Sequence, residues 1–420
     1  MVKRNNSPIR IFVSDIQPIL PAIAGGRLRL AGIWGNIPEE FRLNYVGTFD
    51  VPNQKKTVKR FGSNSNEILV PCSEEHFSEL HTANALFPSL NLFDLAFHRF
   101  AQLSRDYINE SIRYMKEADI VVFSHPWSYQ VLKPFLDSES QFLVYDSQNV
   151  ESFLRAKDLL SQEYKRNGWN LLKEIVEIEN ELVHDADLVL TCSTRDLKQF
   201  HSIFEVVPDK LVLAPNGVSI NSIYTNTSYN IKHKLKKKWG FNRRYSVVFS
   251  GSYFGPNITA VRYLNQIASS SPDIDFVITG DLNNIIRSND LSPNVHMVGL
   301  LHEKNLKEIY DLADAGLNPI QEGSGSNVKV FTYMESGLPV ISTPLGSRGI
   351  DVLEYNLYEG KEAIVIADIG MFEHHLKEIL SDENRRIKVA QQGRKMVEAN
   401  YSWKEISKKV CQEMKSRFQL

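Results

Sequence analysis

The residues with the most chemical promise lie between Pro319 and Thr343, in PIQEGSGSNVKVFTYMESGLPVIST. Gly323, Ser324, Gly325 and Ser326 form a tight loop of small residues, Asn327 and Val328 open a helical pattern, and Lys329 falls in its first turn. A helix start offers free backbone N–H groups and the positive end of a dipole, which suit a phosphate or another anion. Small residues let such a ligand approach the backbone, and Lys329 adds a full positive charge. An ordinary strand-to-helix turn is the plainer alternative, since short glycine-rich loops are common. Ser250-Gly251-Ser252 leads into a helix from Ile258 and repeats this anion-binding geometry. His125 stands in Ser124-His125-Pro126-Trp127, at the C-terminal end of the apolar run Asp119 to Phe123. Ligands of open α/β sheets sit outside the carboxyl ends of strands. Topology therefore puts His125 where a site belongs, although a single histidine is more often structural.

These residues need a frame of alternating strands and helices. Ala315 to Ile320 reads as a buried parallel strand. The following helix has Val328, Phe331 and Met334 on one face and Gly337 as its C-cap, and Pro339 stops it before the strand at Val340-Ile341. Earlier strands are expected at Arg10 to Ser14, Leu43 to Phe49, Gln141 to Tyr145, Asp187 to Thr191 and Leu211 to Ala214. Later ones are expected at Tyr245 to Phe249, Phe276 to Thr279, Asn294 to Gly299 and Ala363 to Ala367. Residues 51 to 66, with Lys55, Lys56, Lys59 and Arg60, read as a solvated basic loop. The stripe Phe77, Phe87, Phe93, Phe97 and Phe100 reads as core, with an apolar acceptor groove as the alternative. Asp146 and Asn149 either line a ligand site or cap the helix that begins near Val150. That helix is expected to run to about Val183 with a break near Asn167-Gly168, and its Glu174, Glu177, Glu179 and Glu181 to form a solvated face. Pro215-Asn216-Gly217-Val218 is expected to make a positive-φ turn. The basic stretch that follows, through Lys238 and Arg244, marks a domain boundary. It is a surface helix or a patch for an anionic membrane.

Composition sets the bounds. With 420 residues the chain exceeds a single core, so two domains are expected. Hydrophobic residues at 42% and charged residues at 23% fit a globular protein. A net charge of -2 gives no bulk pull toward nucleic acid. Cys72, Cys192 and Cys411 are too widely spaced for a disulfide framework or a metal site and fit a reducing compartment. Lys3, Arg4 and Ala22-Ile23-Ala24 loosely mimic a signal peptide, but Arg10, Asp15 and Gln17 interrupt its apolar part. Ile9 to Val13 is read as the first buried strand and the protein as cytoplasmic, with the inner face of a membrane as a further option. No Asp, Glu or His cluster has metal-ligand spacing, so a metal-independent reaction is expected, with no cofactor.

The stretches Gly323 to Thr343 and Pro215 to Val218 resemble the retaining family 4 glycosyltransferases of the GT-B fold, the glycosyl transferases group 1. Members carry a Gly-Ser-Gly-Thr loop, a Lys, a Glu-Ala-Met helix and a Gly-x-Pro-Val-Ile-x-Thr exit. Gly323 to Ser326, Lys329, Met334, Gly337, Pro339 to Ile341 and Thr343 stand at those positions. Thr332 stands where the family has a ribose-holding Glu, and Ser324 where it has the other Glu of a pair. Tyr253 and Pro256 replace a usual Arg and Lys, and Gln148 replaces a usual His.

The resemblance implies two facing Rossmann-like parallel-sheet domains with a cleft between them. The expected domains are residues 1–218 on the acceptor side, 219–395 for the donor, and a final helix from 396 to 420 that packs back on the first domain. Gly25, Gly26 and Arg27 would contact the donor phosphate and His125 the donor sugar. Asn149 and Asn216 would face the substrates. Gly251, Ser252, Ser324, Gly325, Ser326, Asn327 and Thr332 would line the donor pocket, with Lys329 stabilising the leaving diphosphate. The implied reaction moves a sugar from a nucleotide sugar to a glycan, glycolipid or protein-linked acceptor with retention. A non-catalytic GT-B-like binding subunit is the alternative. An oxidoreductase fits less well, because Gly323-x-Gly325 falls short of the dinucleotide fingerprint.

Overall fold

The computed structural model describes residues 7–22, 25–220, 229–282, 290–323, 326–350 and 362–418. The chain divides into two compact units, Met1–Pro215 with Trp403–Leu420, and Asn216–Ser402. The expected edge at 395/396 falls inside a helix, Glu383–Asn400, and a helix held by consecutive hydrogen bonds does not part there.

The first unit is built on an eight-stranded sheet. Its strands are β1 (Ile9–Ser14), β2 (Phe41–Gly47), β3 (Thr57–Gly62), β4 (Ser65–Leu69), β5 (Ile120–Phe123), β6 (Phe142–Asp146), β7 (Leu188–Thr191) and β8 (Leu211–Leu213). Their spatial order is β3-β4-β2-β1-β5-β6-β7-β8. Every pairing is parallel except β3 with β4. Side chains alternate across a strand, so Phe12 enters one core while Ile11 and Val13 enter the other. Helices α1 (Gly25–Trp34), α2 (Glu74–Asn84), α3 (Phe97–Phe100), α4 (Arg105–Lys116), α5 (Tyr129–Leu132), α6 (Glu151–Leu159), α7 (Lys165–Asp185) and α8 (Thr194–Phe204) join the strands.

Three expectations change here, and the core reading of the aromatic stripe holds. The basic loop is in part the edge strand β3, where Lys59 and Arg60 are exposed; charges on an edge discourage pairing with another chain. The aromatic stripe is core: Phe87, Phe93 and Phe97 are buried, with Phe77 and Phe100 packed against them. The long helix breaks between Leu160 and Tyr164, and Gly168 lies inside α7 against the Leu159 carbonyl. The acidic run is a solvated face only in part, Glu177 being its exposed member. Glu179 is fully buried, and Glu174 pairs with Arg99 and Glu181 with Lys133.

The second unit holds a six-stranded parallel sheet: β9 (Tyr245–Ser250), β10 (Ile274–Thr279), β11 (Val295–Gly299), β12 (Ala315–Asn318), β13 (Val340–Ser342) and β14 (Val365–Ile366). Its order is β11-β10-β9-β12-β13-β14. The helices are α9 (Tyr229–Trp239), α10 (Gly255–Ala268), α11 (Glu303–Leu312), α12 (Val328–Glu335), α13 (Phe372–Ser381) and α14 (Glu383–Asn400). Helix α12 ends as expected. Gly337 has φ 71°, its N–H bonds the Met334 carbonyl and that of Leu338 the Tyr333 carbonyl, a left-handed cap that favours glycine. Val330, Phe331, Tyr333 and Met334 are buried along it, while Val328 is only half-buried. Gly217 is not among the left-handed glycines, so the expected positive-φ turn is not formed there. Instead Val218 donates to the Tyr401 carbonyl and bridges to Ser402.

The basic stretch includes α9, and its charges are partly engaged. Lys232 and Lys236 meet Asp314, and Lys238 meets Glu308. The last helix, α15 (Trp403–Arg417), belongs to the first unit. Its Trp403, Ile406, Val410, Cys411 and Met414 share a core with Leu30, Ile33 and Trp34 of α1. Among the described residues no helix is long and apolar enough to cross a membrane.

Candidate active site

Each unit gathers its chemistry at the point where its strand order reverses. In the first unit β1 lies between β2 and β5, and in the second β9 lies between β10 and β12. Helices leave opposite faces of the sheet at such a point, which opens a crevice beyond the strand ends.

In the first unit, β1 runs into Asp15 and β5 into His125. Strand pairing therefore brings the two side chains together, and His125 Nδ1 lies 3.0 and 3.1 Å from the two Asp15 carboxylate oxygens. On its far side, Nε2 lies 3.8 Å from Oε1 of Glu151, the first residue of α6. The ring stacks on Trp127 at a 14° interplanar angle. The His125 side chain is 14% exposed, and those of Asp15 and Glu151 are 0% and 1% exposed. Burial by itself would discharge the imidazole. The charge and hydrogen bond of Asp15, then the charges of Glu151 and Asp94, outweigh it and push His125 up to about 9. The balance is reasonable, because an ion pair about 4 Å apart at an effective permittivity near 20 is worth about 4 kcal/mol. Arg155 ties Glu151 to Asp94, at 3.2 and 3.0 Å.

Gly25 and Gly26 are the first turn of α1 rather than a loop, so their amides belong to a helix start. Gly26 lies against the side-chain amide of Gln148, which a Cβ there would have to displace. Gln148 donates to Ser124 Oγ at 3.2 Å, and half-buried Asn149 donates to Glu151 Oε1 at 3.1 Å. Arg27, in the same turn of α1, is half-buried. Asp146 neither caps a helix nor faces a ligand. It is fully buried and receives Arg29 Nη2 at 2.6 Å and Trp34 Nε1 at 2.9 Å, which fastens α1 to the sheet.

In the second unit, Lys329 projects from the first turn of α12 toward the end of β9. Its Nζ donates to Asn257 Oδ1 at 2.8 Å and lies 4.1 Å from the Phe249 ring centroid. Asn257 in turn donates to the Ser252 carbonyl at 2.9 Å, so Gly251, Ser252, Asn257 and Lys329 form one group. Burial is the cause that brings Lys329 down to about 7, because among the described residues no charge stands against it. Asn216 donates to Ser326 Oγ at 2.6 Å and Asn327 to the Gly346 carbonyl at 2.9 Å. Ser324 and Gly325 lie outside the described residues. Thr332 turns back on its own helix, its hydroxyl 3.3 Å from the Val328 carbonyl. Glu335 is held by Arg394 at 3.0 Å, and Glu322 is exposed. Neither carboxylate is seen to take the place left by Thr332.

Sequence reasoning missed Asp15, Glu151, Asn257 and Arg348. Asp15 ends the first strand, a position that should have marked it. Asn257 lies one helical turn past the Gly251 loop. Arg348 donates to the Gly323 carbonyl from a distant loop, with no local signal.

Residues 260–412 match the family model described as glycosyl transferase-like. One relative is a GDP-mannose-dependent monoacylated alpha-(1-6)-phosphatidylinositol monomannoside mannosyltransferase of Corynebacterium glutamicum. It is 25% identical over 59% of this chain and 67% of its own. Among solved structures, sucrose-phosphate synthase from Thermosynechococcus elongatus superposes with a TM-score of 0.67 at 14% identity, covering 98% of this chain and 99% of that one. Anabaena HepE in complex with UDP gives a TM-score of 0.65 at 14% identity, covering 97% and 100%. The chain thus has the two-sheet GT-B fold of these solved structures, and in its matched segment and its relative it is similar to the group 1 glycosyltransferases.

Proposed function

We propose that the protein transfers a sugar from a nucleotide-sugar donor to a glycan, glycolipid or protein-linked acceptor, with retention of configuration. The observation that carries this reading is Lys329. A buried ammonium with no carboxylate against it among the described residues is costly unless an anion arrives, and it sits at a helix start beside the Gly251 turn. A diphosphate leaving group supplies that anion, and its charge grows as the glycosidic bond breaks. An ammonium already in place then stabilises the transition state more than the ground state. Gly251, Ser252, Ser324, Gly325, Ser326 and Asn327 bind the donor around it. Asn216 steadies Ser326, and Thr332 faces the ribose without the family's charge. In the first unit Gly25, Gly26 and Arg27 contact the phosphate, His125 the sugar, and Asn149 the acceptor side. Retention is supported by the likeness of Gly323 to Thr343 to the retaining family. A lipid-linked acceptor is supported by the mannosyltransferase relative, and a peripheral membrane position for a cytoplasmic enzyme goes with it.

The test is binding of UDP, GDP, ADP and CMP and their common sugars, followed by thermal shift and titration calorimetry. One nucleotide should raise the melting point by mass action. Lys329→Ala should weaken that nucleotide about 100-fold, as expected for a lost charge-assisted contact, and leave the fold intact. If no nucleotide binds the folded protein, the non-catalytic binding subunit replaces this reading.

A further inference from the structure

His125 is hemmed in from three elements. Asp15 faces Nδ1 from the end of β1, Glu151 faces Nε2 from the start of α6, and Asp94 adds a more distant charge from the segment between α2 and α3. Arg155 is the cation of the cluster. It is committed to Glu151 and Asp94, so Asp15 remains the direct counter-charge of the ring. Asp15 is itself fixed, accepting from the Ile16 amide at 2.7 Å and from Gln17 Nε2 at 3.1 Å. Nε2 has no hydrogen-bond partner among the described residues, and Glu151 Oε1 at 3.8 Å is too far to be one. Glu151 is already occupied by Asn149 and Arg155.

The consequence lies in the tautomer. With Nδ1–H given to Asp15, a neutral ring would present a lone pair at Nε2, whereas an imidazolium presents an N–H. We propose that Asp15, seconded by Glu151, is a positioning residue of the transfer step, holding His125 as an imidazolium whose Nε2–H is offered to a substrate oxygen. The histidine is then a fixed positive donor and not a base, and no proton leaves it during turnover. Burial, stacking on Trp127 and the Asp15 anchor all fix the donor before substrate arrives, as electrostatic stabilisation requires. This inference rests on the sugar-transfer reading.

Two measurements separate it from that reading. The first is a nitrogen-15 histidine titration by NMR, with the His125 signal assigned through His125→Gln. In the free protein His125 should titrate near 9 rather than at the ordinary 6.5. In Asp15→Asn its proton affinity should fall by about 100-fold, and in Glu151→Gln by less. The second is kcat/KM against pH with UDP-glucose and GDP-mannose, read as release of UDP or GDP. The alkaline limb should follow the His125 titration, so that Asp15→Asn loses turnover near pH 8 and regains it near about pH 6. A wild-type ring that titrates at 6.5 or below overturns the inference whatever the enzyme does. An Asp15→Asn limb that stays in place while the ring's titration moves overturns the positioning role. Failure of either donor to bind or turn over, with His125 still titrating near 9, fells the transfer reading and the pair's part in it.

Discussion

Lys329 shows what one residue is worth against its surroundings. Burial brings its side chain from 10.5 down to about 7. Between those values the unfolded chain holds the proton and the folded one does not, so stability attributable to this group rises with pH through that window. Below about 7 the full penalty remains. Lys329→Met should therefore be more stable than wild type at neutral pH, by roughly 2 kcal/mol, and the gain should vanish toward pH 10.5. Urea unfolding across that range is the check, and a destabilised Met variant would show that the lysine is already compensated. The same shift predicts proton uptake when a nucleoside diphosphate binds near pH 8, because the new anion restores the ammonium. Calorimetry in buffers of different ionisation heat measures that proton directly.

At the scale of elements, the decisive piece is the start of α6, which carries Glu151. Val150 occupies the N-cap and has no side chain that can cap. Glu179 of α7 serves instead, accepting the Glu151 and Ser152 amides at 2.8 Å each and the Tyr145 hydroxyl at 3.0 Å. Burial pushes that carboxyl up to about 7 from 4.5. The raised value means that its contribution is complete below 4.5 and is lost as pH rises through about 7. Glu179→Ala should cost about 2–4 kcal/mol near pH 5, through loss of a cap and of buried hydrogen bonds. The gap between the two proteins should narrow toward pH 8. Guanidinium unfolding at both values decides it, and a gap that stays constant would place Glu179 outside the titrating groups. Displacement of α6 should also loosen Glu151 from His125, so the variant joins a structural element to the site.

For the whole molecule, the last helix decides whether the first unit can stand. α15 covers the α1 side of the sheet with Trp403, Ile406, Val410, Cys411 and Met414, all 5% exposed or less. Each buried side chain of this size contributes about 1.5–3 kcal/mol. Together they rival the roughly 5–15 kcal/mol by which a domain is stable. Truncation after Ser402 should leave the first unit open to limited proteolysis while the second, with its own cores, stays protected. Equal protection of both units in the truncated chain would refute this. On the surface, the carboxylates that face Lys232, Lys236 and Lys238 reduce the charge that α9 offers to a membrane.

Much of this was legible in the chain. Apolar runs marked the strands of both sheets except β3 and β4, because a strand buried on both faces must be apolar throughout whereas β3 lies exposed at an edge. Gly337 and Pro339 fixed the end of α12, and Lys329 stood in its first turn, because caps and helix starts are local chemistry. What tertiary structure decided was partnership between residues far apart in sequence. Asp15 meets His125 across 110 positions because β1 and β5 are neighbours, and Lys329 meets Asn257 across 72. Glu179 looked like one more solvated acid until α7 packed it beneath α6. Burial and the charge opposite, not residue type, decide whether a histidine is a cation or a lysine is neutral. Both are properties of the assembled fold.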